Sequence, residues 1–64
     1  MIRREPKIAK TDLFSVEEAA DILQVSRQTI YNHIENGNIK YRVNRKGFYR
    51  IAGVNIIGFW NRFA

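Results

Sequence analysis

Sixty-four residues are enough for one domain and no more. A chain of this size buries only about 60 % of the surface it exposes when unfolded, so its core is small and a deep catalytic pocket is hard to build. The absence of cysteine excludes disulfides and thiolate metal sites, and the single histidine, His33, cannot make a zinc site unaided. Eleven Lys and Arg against six Asp and Glu give a formal charge of +5, which directs attention to polyanionic partners. No apolar run approaches the roughly 18 residues of a membrane span, and the opening Met1-Ile2-Arg3-Arg4 has no secretory apolar stretch. No membrane association and a cytoplasmic location are therefore expected.

Residues 1–12 mix charges with Pro6 and show no apolar period, which predicts a flexible, solvated arm ahead of a domain at 13–64. Its Arg3, Arg4, Lys7 and Lys10 offer the alternative of a basic arm reaching a nucleic-acid backbone. From Leu13 the pattern sharpens. Ser15 followed by Glu18 forms a capping box, with Phe14 and Ala19 at the staple positions. Val16, Ala19, Ala20, Ile22 and Leu23 then keep helical spacing, predicting a helix over 16–23. Ser26 reads as a second N-cap, Ile30 and Ile34 as one buried face, and Gly37 as a left-handed stop. The second helix is placed at 27–36.

Ile39 to Val43 alternates with period two, Asn44-Arg45-Lys46-Gly47 breaks the pattern, and Phe48 to Ile51 resumes it. This predicts a β-hairpin with a basic tip. Val54 to Phe63 reads as a last helix, weakened at Gly58 by about 1 kcal/mol relative to alanine. The order helix, helix, hairpin, helix is that of a winged helix-turn-helix, mainly α with one β-hairpin.

Charge is segregated along this order. The first helix holds Glu17, Glu18 and Asp21 and no base. Between Arg27 and Arg50 there are six bases (Arg27, Lys40, Arg42, Arg45, Lys46, Arg50) against Glu35 alone. The positive field thus belongs to the second helix and the hairpin, the pair that a winged helix presents to double-stranded DNA. A major groove admits an α-helix; Arg suits guanine there, and Gln or Asn suits adenine. The candidate base-reading residues are Arg27, Gln28 and Asn32. Tyr31 is placed on a phosphate or a thymine methyl, or else against the hairpin. The helix start at Ser26 offers free amides to a phosphate, and Arg42, Arg45, Lys46 and Arg50 are expected on the backbone. His33 is expected to pack. Phe48 either shields the hairpin or stands out as a wedge, and Trp60 and Phe63 are expected in the core, or alternatively as a protein-contact edge with Ile57. No paired carboxylates, nucleophile-base pair or phosphate-cradling glycine loop points to an enzyme, and no cofactor is expected.

The stretch Leu13-Phe14-Ser15-Val16-Glu17-Glu18-Ala19-Ala20-Asp21-Ile22-Leu23-Gln24-Val25-Ser26-Arg27-Gln28-Thr29-Ile30-Tyr31 resembles the excisionase-like DNA-binding family, related to the DNA-binding domain of MerR-type regulators. The likeness continues through Asn36-Gly37-Asn38-Ile39, Tyr41-Arg42-Val43, Tyr49-Arg50-Ile51 and the helix around Ile56 and Phe59, covering roughly residues 13–63. It implies a second helix that reads bases and a wing that grips backbone. It further implies an accessory role in recombination: cooperative copies bind and bend attachment-site DNA and direct an integrase toward excision. A small transcriptional regulator of a phage, plasmid or other mobile element is the alternative, with a DNA-packaging subunit or a protein-interaction module behind it. The sequence departs from the family at Gln24, where glycine is common in the turn, at Lys40, near a frequent proline, and in a hairpin tip about two residues longer than usual through Lys46-Gly47-Phe48. MerR-type regulators usually continue into a dimerisation helix and an effector domain; with the chain ending at Ala64, effector sensing is not expected.

Overall fold

A computed structural model describes residues 1–64. The elements in chain order are β1 (Leu13–Phe14), α1 (Val16–Leu23), α2 (Arg27–Glu35), β2 (Arg42–Val43), β3 (Tyr49–Ala52) and α3 (Gly53–Phe63). Three helices pack with a three-stranded antiparallel sheet of order β1-β3-β2, the architecture of a winged helix-turn-helix.

The local signals that start and stop the first two helices act as their residue types require. Ser15 Oγ accepts from the Glu18 amide at 3.1 Å, and the Ser15 amide donates to Glu18 Oε1 at 3.0 Å, which closes the capping box. The Ser15 amide and hydroxyl hold the Glu18 carboxyl below its usual range, and the Arg50 charge adds a smaller pull the same way. Because the folded value is the lower one, this contribution to stability is complete above the ordinary glutamate pKa. It fades as pH falls through the lowered value. Ser15→Ala is expected to cost about 1 kcal/mol, read as a lower midpoint in urea; an unmoved midpoint would mean the box contributes nothing.

α1 closes on Gln24, whose left-handed backbone (φ 57°, ψ 50°) is the strained turn expected where glycine is absent. α2 starts at Ser26, which accepts from the Thr29 amide at 3.1 Å. It ends in a Schellman arrangement: the Gly37 amide donates to the Ile34 carbonyl and the Asn38 amide to that of His33, with Gly37 at φ 76°.

The core lies where the three helices meet the inner face of β3. It is built from Val16, Ala19, Ala20 and Leu23 of α1, Ile30 and Ile34 of α2, Ile39, Ile51, and Ile56 and Phe59 of α3. α1 and α2 are thereby fixed at a short turn, and β3 carries the wing at one end of the same core.

Four expectations need correction. Leu13 and Phe14 form a third strand, in register Leu13 with Ala52 and Phe14 with Ile51. Two residues are too few to show a period, so their pairing is dictated by β3 rather than by their own pattern. The first hairpin strand covers only Arg42–Val43, because Ile39 turns into the core instead of pairing. Phe63 is exposed, stacked on the outside of Phe59 at a ring-centroid distance of 4.7 Å, while Ile57 is buried and belongs to no surface edge.

The fourth concerns residues 1–12, which lie along the body rather than as a solvated arm. The Ile2 amide donates to the Leu23 carbonyl at 2.9 Å, and Trp60 Nε1 donates to the Ile2 carbonyl at 2.9 Å. Pro6 is buried and Ile8 packs on the core. The segment also completes α3, whose N-cap Ala52 has no side-chain oxygen to offer. Backbone carbonyls substitute: the Gly53 amide donates to Asp12 at 2.8 Å and the Val54 amide to Lys10 at 3.1 Å.

Candidate nucleic-acid interface

α2 presents two unlike faces. Ile30 and Ile34 are buried, Gln28, Tyr31 and Asn32 are exposed away from them, and Arg27 is exposed at the helix start on the side of α1. Helical spacing sets Arg27 above Tyr31 and Gln28 above Asn32, and the second pair is joined by a bond from Gln28 Nε2 to Asn32 Oδ1 at 3.0 Å. Arg27 reaches back to α1, with Nη1 donating to Glu17 Oε1 at 2.9 Å. At the helix start Ser26 is occupied, its Oγ also lying 2.8 Å from Thr29 Oγ1. The first turn of α2 itself contains no acid, so its outward amides and Arg27 make a positive end, balanced in part by Glu17 of α1.

The wing is a β2–β3 hairpin in which Arg42 faces Arg50 and Val43 faces Tyr49. Its tip is organised by Asn44, whose Oδ1 accepts from the Lys46 and Phe48 amides, each at 2.9 Å, while its backbone carbonyl accepts from the Gly47 amide at 3.0 Å. Gly47 sits at φ 85°, a conformation that a side chain would oppose. The turn leaves Arg45 and Lys46 exposed at the apex.

Aromatic contacts tie the two elements together. Tyr49 lies between Tyr31 of α2, at 5.9 Å, and Tyr41 ahead of the wing, at 4.8 Å. Tyr31 therefore packs against the hairpin and stays exposed as well. A cleft of about 200 Å³ runs between the start of α1, α2 and the wing, lined by Ser15, Val16, Glu17, Tyr31, Phe48, Tyr49 and Arg50.

Of the nine residues marked in the sequence, Gln28, Tyr31 and Asn32 share the outer side of α2, with Ser26 and Arg27 at its start beside α1. Arg50 joins Tyr31 at the cleft and Arg42 flanks Arg50. Arg45 and Lys46 stand apart at the tip. Two guanidinium-bearing residues directly opposite one another repel and destabilise a strand pair. Neither makes a salt bridge; Arg50 donates to the Tyr49 carbonyl at 3.2 Å and lies near enough to Glu18 to favour its carboxylate. An approaching polyanion would relieve this repulsion.

Sequence reading missed Glu17 and Tyr49 as parts of the cleft. Glu17 counts in the sequence only as one of the acids of the first helix, because its ten-residue reach to Arg27 depends on the angle between the helices. His33 packs as expected, edge-on to Phe59 at 4.7 Å, with Nδ1 at 3.0 Å from Asn38 Nδ2. No group of three or more His, Cys, Asp or Glu side chains could hold a metal ion, and no helix is long and apolar enough to cross a membrane.

Two capped helices joined by a tight turn, with a polar outer face beside an arginine-bearing hairpin, define a winged helix-turn-helix of the DNA-binding type. The family model described as "Helix-turn-helix domain" matches residues 13–63, and the chain belongs to that family. Membership supports DNA binding by a domain of a typically non-enzymatic kind. No curated protein and no solved structure matches the chain.

Proposed function

We propose that this protein is a sequence-specific double-stranded DNA-binding factor of the excisionase kind, which occupies and bends attachment-site DNA and directs an integrase toward excision. In this reading α2 enters the major groove. Arg27, Gln28 and Asn32 meet base edges, and the amides near Ser26 and the Tyr31 hydroxyl meet phosphate. Arg42, Arg45, Lys46 and Arg50 hold the backbone on either side. The observation that carries the reading is the exposed polar face of α2 beside a wing in which Arg42 and Arg50 stand directly across the strands from one another.

A single module of this type buries roughly 600–1,000 Å² of protein surface on DNA. Several copies side by side are therefore expected to cover a functional site cooperatively.

The test is a mobility shift on the DNA flanking the protein's own gene, with unrelated competitor, over a series of salt concentrations. A ladder of discrete complexes that bend the DNA and promote integrase-dependent excision is expected. Arg45→Ala should flatten the slope of log K against log salt by about one unit on every sequence alike. Discrete complexes at a promoter that alter transcription without affecting excision would replace the excisionase role by that of a small regulator. Only salt-erased smearing would remove specific DNA binding altogether.

A further inference from the structure

The ion pair between Arg27 and Glu17 is the one salt bridge in the molecule, and both side chains are open to solvent, 66 % and 70 % exposed. Such a pair adds little to stability, since solvent screens it and both side chains lose freedom to hold it. It nevertheless joins the first residue of α2 to the one carboxylate that lines the cleft between α2 and the wing. The neighbouring carboxylate, Glu18, is committed to the Ser15 cap. Asp21 lies a turn further along α1, and Glu35 at the opposite end of α2. Glu17 is thus a negative charge held within a surface that otherwise attracts phosphate.

We propose that Glu17 is a specificity-determining positioning residue, acting through Arg27. The inference rests on the assignment of α2 as the DNA-reading helix. A guanidinium carries five N–H donors, and Glu17 engages the Nη1 end. The remaining donors stay available for the paired acceptors of a guanine edge. Glu17 holds the guanidinium against the positive end of α2, where a free cation is disfavoured, so Arg27 meets the groove already oriented. The same carboxylate repels a backbone phosphate that enters the cleft out of register. Correct sequence gains an aligned arginine, and incorrect sequence meets the Glu17 carboxylate without that gain.

Glu17→Gln keeps the side-chain shape and removes the charge. The probes are a duplex enriched from a random-sequence pool by the unmodified protein and a shuffled duplex of equal length. Affinity for the shuffled duplex should rise about fivefold, the weight of one unit charge a few ångströms from phosphate in water. Affinity for the enriched duplex should stay level or fall, and the salt slope on shuffled DNA should steepen by up to about one unit. In an Arg27→Ala background the same change should move both duplexes alike. Equal gains on both duplexes with Arg27 present, or no gain on either, overturn the proposal, as does a selective effect that persists without Arg27. Melting curves taken alongside separate these outcomes from loss of fold. If the unmodified protein enriches no sequence, the reading-helix assignment itself fails, before any variant is made.

Discussion

Gly53→Ala is expected to lower stability by about 3 kcal/mol, a large part of what a domain this small holds. A Cβ on Gly53 would overlap the Ala9 carbonyl and press on Lys10 Cα at 3.2 Å. Those are backbone atoms, so no side-chain rotation makes room. Overpacking of this kind typically costs about 1–3 kcal/mol. Displacing the strap also disrupts the bonds from the Gly53 amide to Asp12 and from the Val54 amide to Lys10, each worth about 1 kcal/mol net. The start of α3 then has neither a side-chain cap nor a backbone substitute. At roughly 0.05–0.15 kcal/mol per residue, a 64-residue domain holds about 3–10 kcal/mol, so the loss takes about a third of it or more.

Gly58→Ala provides the internal control. Nothing lies within 4 Å of a Cβ there, and the residue is in mid-helix. Alanine at this position should raise stability by up to about 1 kcal/mol. The same substitution five residues apart in one helix is thus expected to have opposite signs in urea denaturation. A Gly53→Ala midpoint equal to that of the unmodified protein would show that residues 9–12 do not rest on α3 in solution.

The strap also shows where sequence reading stops. Ser15, Glu18, Ser26 and Gly37 announce their structural roles through hydrogen bonds to residues three or four positions away, so their roles are written in local spacing. The hairpin tip is equally local, because Asn44 and Gly47 supply the turn within five residues. By contrast, the bonds from Ile2 to Leu23 and from Trp60 to Ile2 join parts of the chain that only the packed core brings together. Ile2, Pro6 and Ile8 follow no helical or strand period because the segment they sit in is neither; each meets a different neighbour. Phe63 misled for the opposite reason. It obeys the apolar period of α3, but the small core is already closed by Phe59, and the last turn extends past it. In the candidate interface, the outer face of α2 was legible from the burial of Ile30 and Ile34 opposite it. The Glu17–Arg27 pair was not, since it is set by the interhelical angle.

Removing the Arg27 side chain is expected to abolish discrimination at one base pair while leaving binding elsewhere nearly intact. Arg27 is exposed and its partner Glu17 is equally so, which limits the stability cost of Arg27→Ala to a small fraction of the fold's total. Its proposed contribution on DNA is larger: a bidentate contact to guanine distinguishes the correct base pair by about 1–3 kcal/mol. Measured as competition between an enriched duplex and its single-base-pair variants, the Ala protein should lose roughly tenfold to a hundredfold preference at one position. Arg27→Lys should recover overall affinity but little of that preference, because a point charge cannot make the planar two-donor contact. Gln28→Ala should flatten a different position. It also releases Asn32, whose Oδ1 accepts from Gln28 in the free protein, so any residual preference for adenine there should disappear only in Gln28→Ala/Asn32→Ala. A base-preference profile unchanged by all of these substitutions would remove α2 from the groove, and the wing with its opposed arginines would then have to account for binding alone.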